Sequence, residues 1–365
     1  MKEEQTPAAL SIPEETLLKW EARGIKRRDF IKFCTATTAA LALPITLVPR
    51  VAQAIEDNRV PVIWVELQSC TGDTEAFLRA NQPTAAEIIL DTLSIEYAET
   101  IMAAAGHQAE KSKDDAIKKY QGKYIAIVEG SIPRDGAYCC VGGKSALAIV
   151  KEVCGNAAAT IAVGNCAAFG GLPAAAPNPT GAMSVQEAVP GATVINLPGC
   201  PVNATNLTAT VVHFLTFGKL PATDKLGRPL FAHGKRIHDN CERRSHFDAG
   251  QHAEAFGDPG HRQGWCLYKL GCKGPETFHN CPTCRYNEGV SWPVMAGHGC
   301  IGCSEPGFWD TMSPFYRRLP QVPGFGIETT ADQIGLGLAA ATAVAFGAHG
   351  VASALRKNEH DSKEG

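Results

Sequence analysis

The sequence predicts an α/β protein with a parallel sheet, followed by a loop-rich domain that depends on metal centres and by one membrane-spanning helix. Three observations predict this arrangement. Apolar segments alternate with helical stretches in the first half of the chain. The 365 residues include 14 cysteines, many of them beyond residue 227, where aliphatic residues are few. A long apolar segment lies close to the C-terminus.

The overall composition excludes some classes of protein. A hydrophobic share of 45% and a charged share of 19% are typical of globular chains, so extended disorder is excluded. A formal net charge of −3 and an aromatic share of 7% give no reason to expect a nucleic-acid partner. Removing Cys34 with the N-terminal leader leaves an odd number of cysteines, which argues against a framework made only of disulfides.

Residues 1–54 have the features of a twin-arginine export signal. Arg27-Arg28 precedes Phe30 and a mildly apolar run that is too short to span a bilayer. Ala52-Gln53-Ala54 supplies the small residues that a signal peptidase reads, so we expect the mature chain to begin at Ile55 and the leader to lie outside the fold. An ordinary secretory signal or an internal helix is the alternative. Because the twin-arginine route exports folded proteins, it favours a protein that carries a cofactor.

Four apolar segments predict the strands of a doubly wound sheet within a domain at 55–226. The segments are 60–67, 123–128, 160–163 and 193–197. Helical stretches are expected at 84–104 and 143–154. This alternation of strand and helix is typical of parallel sheets.

Three of the predicted strands lead into loops that contain a cysteine: Cys70, Cys166 and Cys200. The carboxyl ends of parallel strands meet at one edge of a sheet, where ligands bind in open α/β folds. We therefore expect the fold to bring these thiols together. A cluster of thiolates at this edge predicts a metal site.

The region 227–328 contains two further sets of soft metal ligands. The first set is His238, Cys241, Cys266 and Cys272. The second set is Cys281, Cys284, Cys300 and Cys303, whose spacing by itself favours a zinc ribbon. Three such sites in a chain that is exported in folded form and tethered to a membrane instead favour an electron relay over three structural zinc sites.

The C-terminal segment predicts a membrane anchor. Residues 334–355 are mostly apolar or small, and as a helix they are long enough to cross a hydrocarbon core of about 30 Å. Arg356 and Lys357 follow directly, and the positive-inside rule places this end in the cytoplasm. We expect the anchor at 329–357 and a cytoplasmic tail at 358–365. A buried core helix is the alternative.

Several motifs resemble the small subunit of [NiFe] hydrogenases, and the resemblance extends over nearly the whole chain. The motifs are Gly164-Asn165-Cys166-Ala167, Asn178-Pro179-Thr180-Gly181-Ala182, Pro198-Gly199-Cys200-Pro201, His238-Asp239-Asn240-Cys241, the stretch from Gly264 to Thr277, and the stretch from Gly299 to Pro306. The leader and the anchor also fit this family. The resemblance implies a flavodoxin-like parallel-sheet domain, a small iron–sulfur domain and a C-terminal transmembrane helix.

The same resemblance implies three iron–sulfur clusters in a line. A distal [4Fe–4S] cluster would be bound by His238, Cys241, Cys266 and Cys272. A medial [3Fe–4S] cluster would be bound by Cys281, Cys300 and Cys303. A proximal [4Fe–4S] cluster would be bound by Cys70, Cys166 and Cys200, together with a fourth ligand.

The fourth proximal ligand departs from the pattern of the family. The first loop contains Cys70-Thr71-Gly72-Asp73, whereas the usual motif is Cys-x-x-Cys. We expect the carboxylate of Asp73 to bind iron, as a harder ligand than a thiolate, in preference to Cys139 or Cys140. A [3Fe–4S] centre or a water ligand is the remaining alternative. Cys284 is a second departure, because it could complete a four-cysteine medial site.

The resemblance implies that the nickel–iron centre lies in a separate large subunit, so no catalytic residue for H2 cleavage is expected in this chain. Its expected task is to pass electrons from H2 oxidation to a membrane cytochrome b and quinone, at the periplasmic face of the membrane. One rival is an iron–sulfur subunit of another respiratory complex, which would lack the domain that contains His238 to Cys272. The other rival is a structural zinc protein.

Overall fold

The computed structural model describes residues 12–57, 59–80, 93–287, 289–317 and 331–361. Parts of several predictions lie outside these ranges: 1–11 of the expected leader, 84–92 of the helix expected over 84–104, 318–328 of the expected iron–sulfur domain, 329–330 of the expected anchor, and 362–365 of the expected cytoplasmic tail. All structural statements below concern the described residues.

A five-stranded parallel sheet forms the centre of the first half. The described chain has seven strands, of which five form this sheet. They are β1 (Val60–Glu66), β2 (Leu93–Ala98), β3 (Ile125–Glu129), β4 (Cys140–Val141), β5 (Lys144–Ser145), β6 (Ala159–Val163) and β7 (Val194–Leu197). The sheet order is β2-β1-β3-β6-β7, and β4 pairs with β5 in a separate antiparallel hairpin. Without this hairpin the strand order is 2-1-3-4-5, which is the flavodoxin order. The predicted parallel-sheet architecture is confirmed.

The helix predicted over 84–104 is wrong where the structure describes it. Leu93–Ala98 forms β2, an edge strand that pairs in parallel with β1. Only its ends are fully buried, at Leu93, Tyr97 and Ala98, and the residues between them are partly exposed. An edge strand of mixed polarity lacks the apolar run that identified the other strands, so pairing with β1 decides its conformation.

Helices cover both faces of the sheet. They are α4 (Gly72–Leu78), α5 (Gly106–Lys119), α6 (Ala146–Gly155), α7 (Gly164–Phe169), α8 (Val185–Ala188) and α9 (Ala204–Phe217). On one face, Ile117 of α5 and Ile149 of α6 share an apolar cluster with Val65. On the other face, Phe77 of α4 and Leu207 of α9 share a cluster with Trp64. Because both faces are covered, the central strands are mainly apolar, and β1 and β3 end in the buried carboxylates Glu66 and Glu129.

Three helices precede the sheet: α1 (Glu14–Ala22), α2 (Arg27–Ala40) and α3 (Val48–Asp57). They pack on one another, and both α2 and α3 contact α9. Val51 and Ile55 of α3 are fully buried in a cluster that includes Val212 of α9. The expectation that the leader lies outside the fold is therefore wrong for this structure. The composition of the leader could not predict this packing, because the surface on which the leader packs belongs to α9, far along the chain.

The second half consists of loops, short 3-10 turns and five short helices. These helices are α10 (Leu230–His233), α11 (Arg244–Asp248), α12 (Pro259–Arg262), α13 (Cys281–Cys284) and α14 (Phe308–Thr311). Its buried apolar cluster is small and includes the side chains of Leu267, Trp292 and two cysteines, Cys281 and Cys300. A region with so small an apolar core needs another source of cohesion, and metal centres can supply it.

One long helix, α15 (Ala331–Asp361), ends the described chain. Its segment Leu336–Ser353 has a mean hydropathy of 1.4, and none of that segment is buried against the rest of the chain. By length and composition this segment could cross a membrane. The predicted apolar stretch at 334–355 therefore forms a helix, and its segment Leu336–Ser353 is not part of the protein core.

Candidate metal centres

Three cysteine-bearing segments meet at the carboxyl edge of the sheet, as the sequence predicts. Cys70 lies in the loop after β1, Cys166 lies in the short helix α7 directly after β6, and Cys200 follows β7. The backbone N–H of Asn165 donates to the carbonyl of Gly199 at 2.7 Å, which joins the second segment to the third. The backbone N–H of Val202 donates to Asp73 Oδ1 at 2.5 Å, which joins the third segment to the first. The fold thus brings all three segments together.

Two glycines make room for the proposed ligands. Gly164 has φ +77°, and a Cβ at this position would lie 2.0 Å from Asp73 Oδ2. Gly171 has φ +56°, and a Cβ there would lie 2.5 Å from Cys166 Sγ. Both positions combine a left-handed backbone with a contact closer than any side chain allows. Glycine is therefore required at both positions, because a side chain would occupy the space taken by the Asp73 or Cys166 side chain.

The proximal residues are close enough to shift one another's ionisation. Burial raises the pKa of Asp73 to about 7, and the charge of Glu129 adds to this rise. Burial raises the pKa of Cys166 to about 11, with contributions from Asp73 and Cys70. Desolvation raises the pKa of the Cys200 thiol to about 12, although the residue as a whole is exposed. A bound cation would reverse these shifts, because it stabilises carboxylate and thiolate.

Glu129 at the end of β3 holds the first loop in place. Its side chain is fully buried. Its carboxylate accepts hydrogen bonds from the Thr74 backbone at 2.9 Å, the Thr74 hydroxyl at 2.6 Å and the Ser69 hydroxyl at 2.7 Å. These bonds fix the residues on both sides of Cys70 and Asp73, so the loop is held before any metal binds.

Cys139 and Cys140 occupy a different place in the fold. Cys139 packs against the apolar cluster beneath α5 and α6. Cys140 is exposed, and its thiol donates to the Gly136 carbonyl at 2.9 Å. Neither is among the groups that shift the pKa of Asp73, Cys166 or Cys200. The contacts thus favour Asp73 over these two thiols as the fourth proximal group.

The residues of the predicted distal site line one cavity: His238, Cys241, Cys266 and Cys272. Burial raises the pKa of Cys241 to about 11 and that of Cys266 to about 12, and the charge of Cys272 contributes to both. Desolvation lowers the pKa of His238 to about 4. The imidazole is therefore neutral at neutral pH, which is the form that binds metals.

The thiols of the predicted medial site also lie together. Burial raises the pKa of Cys281 well above its ordinary value, and the charges of Cys303 and Cys300 add to this effect. The Gly302 backbone N–H donates to Cys300 Sγ at 3.4 Å. A thiolate would strengthen this hydrogen bond, so the backbone here favours a deprotonated, metal-binding sulfur.

Cys284 lies beside the medial group but has another partner. Its charge contributes to the raised pKa of Cys281, so the two thiols are near each other. Its thiol donates to Asn203 Oδ1 at 3.5 Å, and Asn203 is the N-terminal cap of α9. This contact directs the thiol toward the first half of the chain.

The three ligand groups are contiguous. Burial raises the pKa of the Cys303 thiol, and the nearby Cys200 backbone opposes this rise, so the proximal group adjoins the medial group. The Cys300 backbone N–H donates to Cys272 Sγ at 3.3 Å, which joins the medial group to the distal group. The order along this path is therefore proximal, medial, distal.

Sequence reasoning missed a contact that joins the two halves of the chain and a buried ion pair at the start of the second half. The Asn165 side-chain amide donates to the carbonyls of Cys303 and Glu305, both at 2.9 Å. Arg228 is buried and donates to both carboxylate oxygens of Glu305 at 3.0 Å and to Asp224 at 2.8 Å. Asn165 stands next to Cys166 in a recognised motif, but nothing in the local pattern around Arg228 indicates its partners.

The described residues form no preassembled site for a single metal ion. Among the residues that the structure describes, no group of three or more His, Cys, Asp or Glu side chains is arranged to hold one metal ion. In an iron–sulfur cluster each protein ligand binds a different iron, and inorganic sulfide joins the irons, so the ligands surround a larger space. The distal ligands do line a cavity, and the proximal loops are kept open by glycines.

Comparison with known proteins identifies the family. The family model for the C-terminal part of the NiFe/NiFeSe hydrogenase small subunit matches residues 233–316, and the model for the NADH ubiquinone oxidoreductase 20 Kd subunit matches 70–214. The quinone-reactive Ni/Fe-hydrogenase small chain of Wolinella succinogenes is 48% identical over 94% of this chain and 99% of its own length. The uptake hydrogenase small subunit of Azotobacter vinelandii is 47% identical over 92% of this chain and 94% of its own length.

The fold agrees with this relationship. A reduced, active form of the Ni-Fe-Se hydrogenase from Desulfomicrobium baculatum contains a chain that matches with a TM-score of 0.68 and 36% identity, over 72% of this chain and 100% of that one. The alignments with these two relatives extend over both halves of the chain. The chain therefore belongs to the family of [NiFe] hydrogenase small subunits, which serve an active site on the large subunit.

Proposed function

We propose that this chain relays electrons from H2 oxidation in the large subunit, through three iron–sulfur clusters, to a membrane cytochrome b and quinone. The observation that carries this proposal is the contiguity of the three ligand groups. Contacts between Cys200 and Cys303 and between Cys300 and Cys272 leave no gap along the path. Such a row of centres is what stepwise electron transfer requires, since each step must cover a short distance.

The ligands proposed for the clusters follow the three groups. The proximal [4Fe–4S] cluster would be held by Cys70, Asp73, Cys166 and Cys200; the medial [3Fe–4S] cluster by Cys281, Cys300 and Cys303; and the distal [4Fe–4S] cluster by His238, Cys241, Cys266 and Cys272. The clusters supply one-electron redox chemistry. A neutral His238 makes the distal site less negative than four thiolates would, which raises its reduction potential.

The proposed location is the periplasmic face of the cell membrane. The apolar helix α15 would anchor the chain, and the leader at 1–54 would direct export by the twin-arginine route. The names of the relatives, quinone-reactive hydrogenase and uptake hydrogenase, support the direction of electron flow toward quinone. The immediate partners would be the large subunit and a membrane cytochrome b.

The rival respiratory subunit has some support, because residues 70–214 match the NADH ubiquinone oxidoreductase 20 Kd family. That match ends before the distal and medial residues. The second match, at 233–316, covers those residues and belongs to hydrogenases. The hydrogenase function is therefore favoured over the rival.

Anaerobic purification with the large subunit tests the proposal. About eleven iron atoms per chain are expected from two four-iron clusters and one three-iron cluster, with an EPR signal from the oxidised three-iron centre. Cys241→Ser should slow quinone reduction by H2 more than about tenfold but preserve H2/D2 exchange, which needs only the large subunit. Cys140→Ser is the matched control and should change neither rate. Zinc without sulfide would contradict the proposal.

A further inference from the structure

We propose that the N-terminal segment 14–57 forms a three-helix cap that docks on α9, and that this cap holds the residues of the export motif in helix contacts and keeps the cleavage sequence helical until it is displaced. The proposal rests on the twin-arginine leader of the proposed function. It adds a surface of the folded body, α9, as the partner of the leader.

The cap is packed against the body by apolar and polar contacts. Val51 and Ile55 of α3 are fully buried together with Val212 of α9. The Arg50 guanidinium donates to the Thr216 carbonyl at 3.4 Å and lies 5.0 Å from the ring of Phe217. The contacts thus extend along the last two turns of α9.

The expected cleavage sequence is not available to a peptidase in this arrangement. Ala52-Gln53-Ala54 lies inside α3; Ala52 and Ile55 have no exposed surface, Ala54 is partly buried, and Gln53 is exposed. Proteases cleave exposed and flexible segments, and they bind the substrate backbone in an extended form. Cleavage after Ala54 therefore requires α3 to leave α9 and unwind.

The export motif is held by the same cap. Arg27 donates two hydrogen bonds to Glu14, at 2.7 Å and 2.5 Å. Phe30 is 2% exposed and stacks on Trp20 with ring centroids 4.6 Å apart. A receptor that binds Arg27 and Phe30 must replace both contacts between α1 and α2. Recognition of the motif thereby loosens the cap and exposes the cleavage sequence.

The alkylation rate of the Cys34 thiol in α2 reports whether the cap is docked, and this measurement does not depend on export. Cys34 has no exposed surface, whereas Cys140 in the same chain is exposed and serves as an internal reference. In the full-length precursor, purified with the large subunit, alkylation of Cys34 followed by mass spectrometry should be at least about 100-fold slower than that of Cys140. Equal rates for the two thiols would overturn the proposal.

Variants on both sides of the interface should release the cap. Trp20→Ala and the body variant Phe217→Ala should each speed Cys34 alkylation more than about tenfold, and purified signal peptidase should cleave both precursors faster than the wild-type chain. Leu18→Ala, a 53% exposed position in α1, is the matched control and should change neither rate.

The outcomes separate this proposal from the proposed export. Unchanged Cys34 alkylation in Phe217→Ala would show that the three helices fold without the body and would overturn the docking. Unchanged cleavage in Trp20→Ala would overturn the claim that the cap keeps the cleavage sequence helical. A protected Cys34 in a chain that cells never export would contradict the twin-arginine leader and support the docking.

Discussion

Asp73 has the position and the support that a metal ligand needs. It is 8% exposed and lies among the proximal thiols. The Val202 backbone holds Oδ1 at 2.5 Å, and the missing side chain of Gly164 leaves room for Oδ2. Burial raises its pKa to about 7, so burial favours the protonated acid, whereas a bound metal would favour the carboxylate.

Replacing Asp73 distinguishes a metal ligand from a side chain that only accepts the hydrogen bond of the Val202 N–H. Asp73→Asn keeps an oxygen for the Val202 N–H but removes the anionic donor, and Asp73→Ala removes both. We expect each variant to lose between one and about four iron atoms per chain, measured by iron and sulfide analysis, and to show an altered proximal EPR signal. Full iron content in Asp73→Asn would show that the carboxylate only supports the loop.

The double variant Cys139→Ser, Cys140→Ser is the control for this experiment. Both thiols lie at the β4–β5 hairpin rather than among the proximal residues. Its iron content should equal that of the wild-type chain. A loss of iron comparable to that of Asp73→Ala would instead identify one of these cysteines as the fourth ligand.

At the scale of elements, the loops after the strands determine the site. The sheet aligns β1, β6 and β7 so that their carboxyl ends meet, and the loops then supply the ligands. Positive φ angles at Gly164 and Gly171 let the backbone approach these ligands closely. The strand order explains why residues far apart in sequence form one site.

Gly171→Ala tests this dependence on the loops. The added Cβ would lie 2.5 Å from Cys166 Sγ, so we expect a loss of about 1–3 kcal/mol in stability and a lower iron content. Gly218→Ala is the matched control, since Gly218 has φ +66° and no atom within 4 Å of the added Cβ. Thermal unfolding and iron analysis measure both variants, and equal iron in the two would contradict the role of crowding.

For the whole molecule, buried polar contacts join the sheet domain to the cysteine-rich half and stabilise that half. The side chain of Asn165 donates across the junction to two backbone carbonyls, and Arg228 pairs with Glu305 and Asp224. Arg228 is 4% exposed and Glu305 is 8% exposed, so water cannot solvate either charge well if its partner is removed. The contacts of Asn165 fix the medial group relative to the proximal group.

Arg228→Ala should be strongly destabilising. It leaves Glu305 buried without its partner, and the expected loss is about 3 kcal/mol, measured by chemical unfolding. Lys111→Ala is the control, because its ion pair with Asp115 is exposed and should contribute nothing measurable. Equal midpoints for the two variants would show that the buried pair does not stabilise the cysteine-rich half.

Ending the chain before Ala331 tests the role of α15. The truncated chain should appear in the soluble fraction and, with the large subunit, should still reduce an artificial dye with H2. Quinone reduction should fall more than about tenfold, because the contact with the membrane partner is lost. A truncated chain that stays in the membrane fraction would show that another surface holds it there.

Much of the fold and of the site could be predicted from the sequence, because the informative patterns are local. Apolar runs identified β1, β3, β6 and β7, and cysteines in the following loops identified the proximal edge. The edge strand β2 was mistaken for a helix, since its mixed polarity gives no clear period and pairing with β1 decides its form. The docking of the leader on α9 was also missed, because it depends on a face formed by distant residues.

The sequence by itself determined which candidate ligand residues are present, where the parallel sheet lies and which segment is apolar enough to cross a membrane. Only the tertiary structure decided that the three ligand groups touch in the order proximal, medial and distal, and that Asp73 rather than Cys139 or Cys140 lies among the proximal thiols. The physical reason is distance along the chain. Ligand type is a property of single residues, whereas adjacency depends on how strands and loops far apart in sequence pack together.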